Sequence, residues 1–228
     1  VGVIDMVAQG NATMGSGVDK GNLDVSVCDV RLGDATVAEA VVHASGSGFD
    51  VLPANADLTA AEVQLVTRIG REKQLQLALE KVDSDYDYIL IDCPPSLNML
   101  TVNALVASSG VLIPMQCEYY ALEGLSSLLD TIEQIRLSVN PNIKLEGLLR
   151  TMYDPRNNLS NDVSSELVEH FGDRVYRTII PRNVRLAEAP SYGKPIMQYD
   201  KTSRGSMAYL ALAGEVLRRD AKQSHYIN

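Results

Sequence analysis

Short apolar runs alternate along the chain with longer stretches in which apolar residues recur every three or four positions. Runs of strand length fall at Val1–Asp5, Phe49–Pro53, Tyr88–Asp92, Val111–Gln116, Leu145–Met152 and Val175–Ile180. Two of these, centred on Ile89-Leu90-Ile91 and Val111-Leu112-Ile113, are continuously apolar, the pattern of a strand buried on both faces. Thr59 to Val82 carries Val63, Leu65, Val66, Ile69, Leu75 and Leu79 at near-helical spacing, with Asp57 or Thr59 placed to cap its start and Gly70 placed to break it. Leu122 to Val139 repeats the helical pattern and stops at Asn140-Pro141; further helices are predicted over Asn161–Phe171, ended by Gly172, and over Ser203–Arg219.

Strands alternating with helices predict an α/β fold, a mostly parallel sheet with helices on both faces. The 228 residues contain no internal repeat, low-complexity tract or long linker, so one domain spanning residues 1–228 is expected. Val1-Gly2-Val3-Ile4-Asp5 already reads as a sheet strand, and the expectation is that further chain normally precedes it.

Composition narrows the function classes. No apolar run reaches the length of about eighteen residues that a membrane span needs, and no charged-then-apolar leader opens the chain. A cytoplasmic location without membrane attachment is expected. Cys28, Cys93 and Cys117 are odd in number and widely spaced, which suits reduced core thiols better than a disulfide framework or a zinc site. The net charge of −9 argues against nucleic acid until its distribution is considered. Residues 1–141 carry 7 Lys and Arg against 19 Asp and Glu, a net −12, whereas residues 142–228 carry 13 against 10, a net +3. The late arginines read either as solvated surface or as a basic face.

Candidate chemistry begins at Asp92, which ends the apolar strand Tyr88–Asp92 and is followed by Cys93-Pro94-Pro95-Ser96. In open α/β sheets ligands bind beyond the carboxyl ends of strands, so this carboxylate is placed either to hold a magnesium–nucleotide complex or to cap a turn. Asp5 ends a second strand of the same form. His43, His170 and His225 show no metal-ligand spacing and no hydrolase context, so no catalytic role is assigned to them.

These segments belong to an ordered series. Val3-Ile4-Asp5-Met6-Val7-Ala8-Gln9-Gly10-Asn11-Ala12-Thr13, Ile89–Ser96, Glu118-Tyr119-Tyr120-Ala121-Leu122-Glu123-Gly124, Thr151-Met152-Tyr153-Asp154 and the block from Ile180 to Pro195 resemble, in order, the motifs of ParA/Soj-type partition ATPases, members of the deviant Walker A P-loop class. The last block, Ile180-Pro181-Arg182-Asn183-Val184-Arg185-Leu186-Ala187-Glu188-Ala189-Pro190-Ser191-Tyr192-Gly193-Lys194-Pro195, is the most specific. The resemblance implies an ATP-dependent homodimer associated with the nucleoid, which binds DNA without sequence preference and is stimulated by a ParB-type partner to hydrolyse ATP. It also implies that Asp92 holds magnesium through its waters with Asp5 in support, and that Met152, Pro181, Arg182 and Asn183 lie near the adenine. Within that frame Arg185, Lys201, Arg204, Arg218 and Arg219 are expected to form a DNA-binding face.

Two departures from the family pattern qualify this. The chain contains no Lys-Gly-Gly-x-Gly-Lys-Thr loop: Gly193-Lys194 is followed by proline, and Gly15-Ser16-Gly17 and Gly46-Ser47-Gly48 read as flexible turns. The loop, the first strand and its helix are therefore expected upstream, and their absence is expected to expose apolar sheet surface. The second departure is Val7, which stands where the family carries a catalytic aspartate, with Ala8 in place of the following proline. Valine neither accepts a proton nor orients water, so poor hydrolysis is expected. The alternatives are a degenerate, non-enzymatic module of the same fold, or a MinD-like membrane-surface ATPase, for which the tail Lys222–Asn228 has too little apolar surface.

Overall fold

A computed structural model describes residues 1–59, 65, 68–118 and 121–225. Its contacts group into two compact units, the first comprising Val1–Ser109, Gln134–Ile143 and Ala189–Pro195, the second Gly110–Glu133, Lys144–Glu188 and Ile196–Asn228.

In the first unit, strands β1 (Gly2–Asp5), β2 (Val42–Ala44), β3 (Phe49–Leu52) and β4 (Ile89–Asp92) form a sheet in the order β2-β3-β1-β4. β1 runs parallel to both β3 and β4, and only the short β2 is antiparallel. Helix α1 (Asn11–Gly15) follows β1. Helix α2 (Val27–Leu32) is set by its ends. Ser26 and Asp29 form a reciprocal capping box, and Gly33 terminates the helix in the left-handed conformation, φ 75°. Helix α3 (Val37–Ala40) repeats the device with Thr36 and Glu39. The core gathers Ile4, Met6, Val27, Val30, Leu52, Leu58, Leu75 and Leu100, all buried.

The expected helix from Thr59 to Val82 falls partly outside the described residues, as do Tyr119, Tyr120 and the end of the tail. Its described part bears out a break at Gly70, φ 69°, after which a 3-10 turn at Arg71–Lys73 leads into α4 (Gln74–Leu79). Helix α5 (Met99–Ala107) starts at Asn98, whose side chain accepts the N–H groups of Leu100 and Thr101. Its far end is closed from a distance: the Asn140 amide donates to the carbonyls of Leu105, Val106 and Ser108 at 2.9, 3.2 and 2.7 Å. Helix α6 (Ala121–Ser138) stops immediately before Asn140-Pro141, as the sequence predicts.

In the second unit β5 (Gly110–Gln116), β6 (Lys144–Tyr153) and β7 (Val175–Pro181) form an all-parallel sheet in that order. Helix α7 (Asn158–Phe171) begins on the Asn157 side-chain cap, three residues earlier than the apolar pattern indicates. Short helices α8 (Val184–Glu188) and α9 (Ile196–Tyr199) lead to α10 (Arg204–His225), which presents Ala208, Leu212 and Val216 to Leu149, Tyr176 and Ile180 of the sheet.

One expectation fails in detail. The continuous apolar runs of β4 and β5 predict burial on both faces, yet Leu90 is 58% and Leu112 37% exposed. Among the described residues β4 pairs only with β1 and β5 only with β6, and a strand at the edge of a sheet is less fully covered than a central one.

Candidate functional site

The parallel register of β1 and β4 sets Asp5 directly opposite Asp92, and the two carboxylates are in different situations. Asp5 is fully buried. One of its oxygens accepts the N–H of Val7 at 3.0 Å; the other accepts the N–H and hydroxyl of Thr13 at 2.8 and 2.7 Å. The Thr13 hydroxyl accepts in turn from the N–H of Ala54 at 3.0 Å. Asp5 therefore organises the turn from β1 into α1 and ties it to the end of β3. Asp92, by contrast, has no hydrogen bond or ion pair to its carboxylate among the described residues. Burial, and then the charge of Asp5, raise its pKa. Asp92 nevertheless keeps an exposed side at the strand end, and a carboxylate open to solvent with a second carboxylate beside it and no donor of its own is a group that a cation can reach and neutralise.

Glycine closes the neighbouring turn. A Cβ on Gly17, φ 84°, would lie 2.8 Å from the carbonyl oxygen of Gly193. The Gly15-Ser16-Gly17 segment, expected as a flexible turn, is instead a close backbone contact with the Ala189–Pro195 segment, where Gly193 also has positive φ, 60°. Structure also gives His43 a partner that spacing could not: its Nδ1 lies 2.7 Å from Asp50 Oδ1, and the Tyr86 hydroxyl donates to Asp50 Oδ2 at 2.9 Å. Burial and that hydrogen bond push the Tyr86 phenol up to about 12.

The expected base-binding residues cluster in the second unit, at the carboxyl ends of β6 and β7. Met152, with Cys117, Asn157, Ser160 and Arg182, lines a cavity of about 280 Å³. Pro181 and Arg182 line a neighbouring cleft with Tyr153 and Asp154. The Arg182 N–H donates to the carbonyl of Tyr153 at 3.0 Å, which holds the two strand ends together. Met152 is the one described non-glycine residue at positive φ, 52°, a conformation that disfavours a side chain and persists where its surroundings impose it. Asn183 faces the backbone of α8, its side-chain oxygen accepting the N–H of Leu186 at 3.3 Å.

The five expected DNA-contact residues separate into two groups. Lys201, Arg204 and Arg218 are exposed. Arg185 is half-exposed and engaged by Glu188 at 3.0 Å and Asp200 at 3.5 Å. Arg219 turns inward, bonding Glu215 at 2.9 Å and the Val175 carbonyl at 3.0 Å with its guanidinium 3.9 Å over the Tyr176 ring. Sequence reasoning put Arg219 on the face because neighbouring arginines look alike in one dimension; helical rotation separates it from Arg218 by about 100°.

Strand-end carboxylates on a mostly parallel, helix-flanked sheet define a protein of the open α/β class, in which ligands bind beyond the carboxyl ends of the strands. Residues 1–145 match the AAA domain family. The chain is 51% identical over 214 residues to the sporulation initiation inhibitor protein Soj of Bacillus subtilis, spanning 94% of this chain and 85% of the relative. It is 48% identical over 220 residues to the chromosome partitioning protein ParA of Caulobacter vibrioides, spanning 96% and 82%. Among solved structures, cobyrinic acid a,c-diamide synthase from Mycobacterium smegmatis, with bound ATP analogue and magnesium, is 37% identical with a TM-score of 0.80, covering 99% of this chain and 82% of that one. The chain belongs to the ParA/Soj family of chromosome-partitioning proteins.

Proposed function

We propose that the protein is an ATP- and magnesium-dependent DNA-segregation factor of the cytoplasm. In this reading it dimerises with nucleotide, associates with the nucleoid through nonspecific DNA contacts, and responds to a ParB-type partner. The observation that carries the reading is Asp92, a carboxylate at a strand end with no donor of its own, in register with buried Asp5. Magnesium fits that donor set: Asp92 would hold it, while Asp5, whose oxygens are taken by Val7 and Thr13, acts by its charge and by fixing the turn. Bound magnesium would supply charge neutralisation at a triphosphate. Met152, Pro181 and Arg182 are suited to flank a base, and exposed Lys201, Arg204 and Arg218 to meet backbone phosphates.

The test is DNA association of the protein as its gene encodes it, followed by fluorescence anisotropy with and without MgATP. Tighter association with MgATP, lost in Asp92→Asn, is expected. Association indifferent to nucleotide overturns the reading.

Val7 favours a second reading, a binding module of the same fold that turns over little ATP or none. Its N–H serves Asp5, but its side chain has no group to position water. Phosphate release separates the two: the module predicts release near the no-enzyme control, and Val7→Asp is expected to raise it.

A further inference from the structure

Helix α10 is apolar on both sides over about three turns. Ala208, Leu212 and Val216 pack against Leu149, Tyr176 and Ile180. Between Gly205 and Leu217 the one charged residue, Glu215, points inward to the N–H groups of Arg177 and Thr178. The opposite side carries Met207, Leu210 and Leu217, which are 64%, 60% and 55% exposed. Together with Gly214 they recur at helical spacing and form one stripe along the helix. A helix that is apolar all round is one whose two sides are both covered, and among the described residues this side is open.

Two features define what fits it. Gly214 interrupts the stripe between Leu210 and Leu217. Glycine in a helix interior costs stability relative to alanine, and here it leaves a notch into which the ridge of another helix can settle. Arg218 lies beside that notch: a Cβ on Gly214 would be 3.3 Å from its Nη1. Arg204 and Arg218 are exposed, helical rotation puts them on the same flank of the stripe, and among the described residues neither has a carboxylate within ion-pair distance. Apolar anchors around a notch, edged by such guanidinium groups, complement an amphipathic helix that carries acidic residues beside its apolar seam. A phosphate backbone leaves the apolar stripe unused. A bilayer has no use for the notch, and the net charge of −9 opposes an anionic one. The α10 of a second copy brings the same cationic flank, with Asp220 as its one exposed carboxylate among the described residues.

We infer that the outer face of α10 is a docking surface for an acidic amphipathic helix of another protein, with Met207, Leu210 and Leu217 as anchors, Gly214 as the point of closest approach and Arg218 as the charge partner. The surface is separate from Asp92 and from the cavity at Met152, so it goes beyond the reading above and does not rest on it. Arg218 is then a group for which DNA and the docked helix compete.

Fluorescence anisotropy of the protein as its gene encodes it, without DNA or nucleotide, tests the surface. The probe is a short labelled helical peptide of Leu, Ala and Glu with its leucines along one seam; the same peptide with Lys for Glu is the control. The Glu peptide is expected to bind more tightly than the Lys peptide. Leu210→Ser should weaken it about tenfold, while Leu159→Ser, an exposed apolar site on α7, leaves it unchanged. Arg218→Glu should reverse the preference between the two peptides. Gly214→Leu adds apolar area and a better helix former, yet by filling the notch it should weaken the Glu peptide without lowering the melting temperature, an effect that neither misfolding nor simple adhesion produces. No binding, equal binding of the two peptides, or tighter binding by Gly214→Leu overturns the proposal. So does association with phosphatidylglycerol vesicles, or dimerisation in sedimentation, that Leu210→Ser abolishes: the first assigns the face to a lipid surface, the second to another copy of the chain.

Discussion

Arg150 on β6 and Glu215 on α10 close the same irregularity in β7 from two directions. Between Leu148↔Val175 and Arg150↔Ile179 the register slips, leaving Tyr176 to Thr178 without regular pairing. The Arg150 guanidinium donates to the carbonyls of Tyr176 and Arg177 at 2.9 and 3.4 Å, and the Glu215 carboxylate accepts the N–H groups of Arg177 and Thr178, each at 2.9 Å. The slip is tolerated because both kinds of backbone group find partners.

Glu215 is therefore a stability determinant with a defined pH window. Burial works to raise its pKa, but the two backbone N–H groups, the Thr178 hydroxyl and Arg219 overcome it and hold the carboxyl at about 2. A carboxylate depressed from an ordinary 4.5 contributes stability that is fully present above about pH 4.5 and is lost as pH falls toward 2. Glu215→Ala strands two backbone donors and is expected to cost about 3 kcal/mol or more at pH 7, with Glu215→Gln costing less. Urea unfolding at pH 7 and pH 3 measures both, and the gap between wild type and Glu215→Gln should narrow in acid.

Asp5 and Asp92 are expected to respond in opposite senses. Asp5→Asn sets an amide group against donors that a carboxylate accepts, so thermal stability should fall, by about 2 kcal/mol. Asp92 has a raised pKa, which means that its charged form is disfavoured in the folded state; its unfavourable contribution is present at neutral pH and is relieved as pH falls through its folded pKa. Asp92→Asn should leave the nucleotide-free protein as stable as wild type or more so at pH 7, while removing any magnesium-dependent rise in melting temperature.

Gly17→Ala meets both a positive φ, 84°, and a carbonyl 2.8 Å from the new Cβ. The expected cost is about 1–3 kcal/mol, read as a lower urea midpoint. Gly33→Ala provides the contrast: its φ is 75° but nothing lies within 4 Å of the added carbon, so it should lose only the conformational part.

Arg218 and Arg219 separate DNA binding from folding. Arg218→Glu should weaken association with duplex DNA and flatten its dependence on salt, with the melting temperature unchanged. Arg219→Gln releases Glu215 and the Tyr176 ring and should lower the melting temperature at any salt concentration.

Much of the architecture was legible in one dimension. Six strands lie where the apolar runs end in turn residues, because a strand buried in a sheet writes its burial into a contiguous run. β2 was missed, since three residues with a histidine at the centre, Val42-His43-Ala44, carry no periodicity. Of the candidate site, Asp5 and Asp92 were visible as carboxylates terminating such runs. Their different burdens were not, because those depend on which donors fold back: Thr13 reaches Asp5 from eight residues away, and nothing described reaches Asp92.

Sequence by itself determined the parallel α/β class, the order of its elements, the family, and the presence of valine at position 7, for these reside in local pattern and in ordered motifs. Only the tertiary structure decided that Arg219 is structural while Arg218 is free to meet solvent, that Gly17 is a contact rather than a hinge, and that Arg156, Arg182 and Arg204 share a cleft. Convergence of residues distant in sequence is a property of packing, and charge and spacing along a chain do not encode which side chains packing brings together.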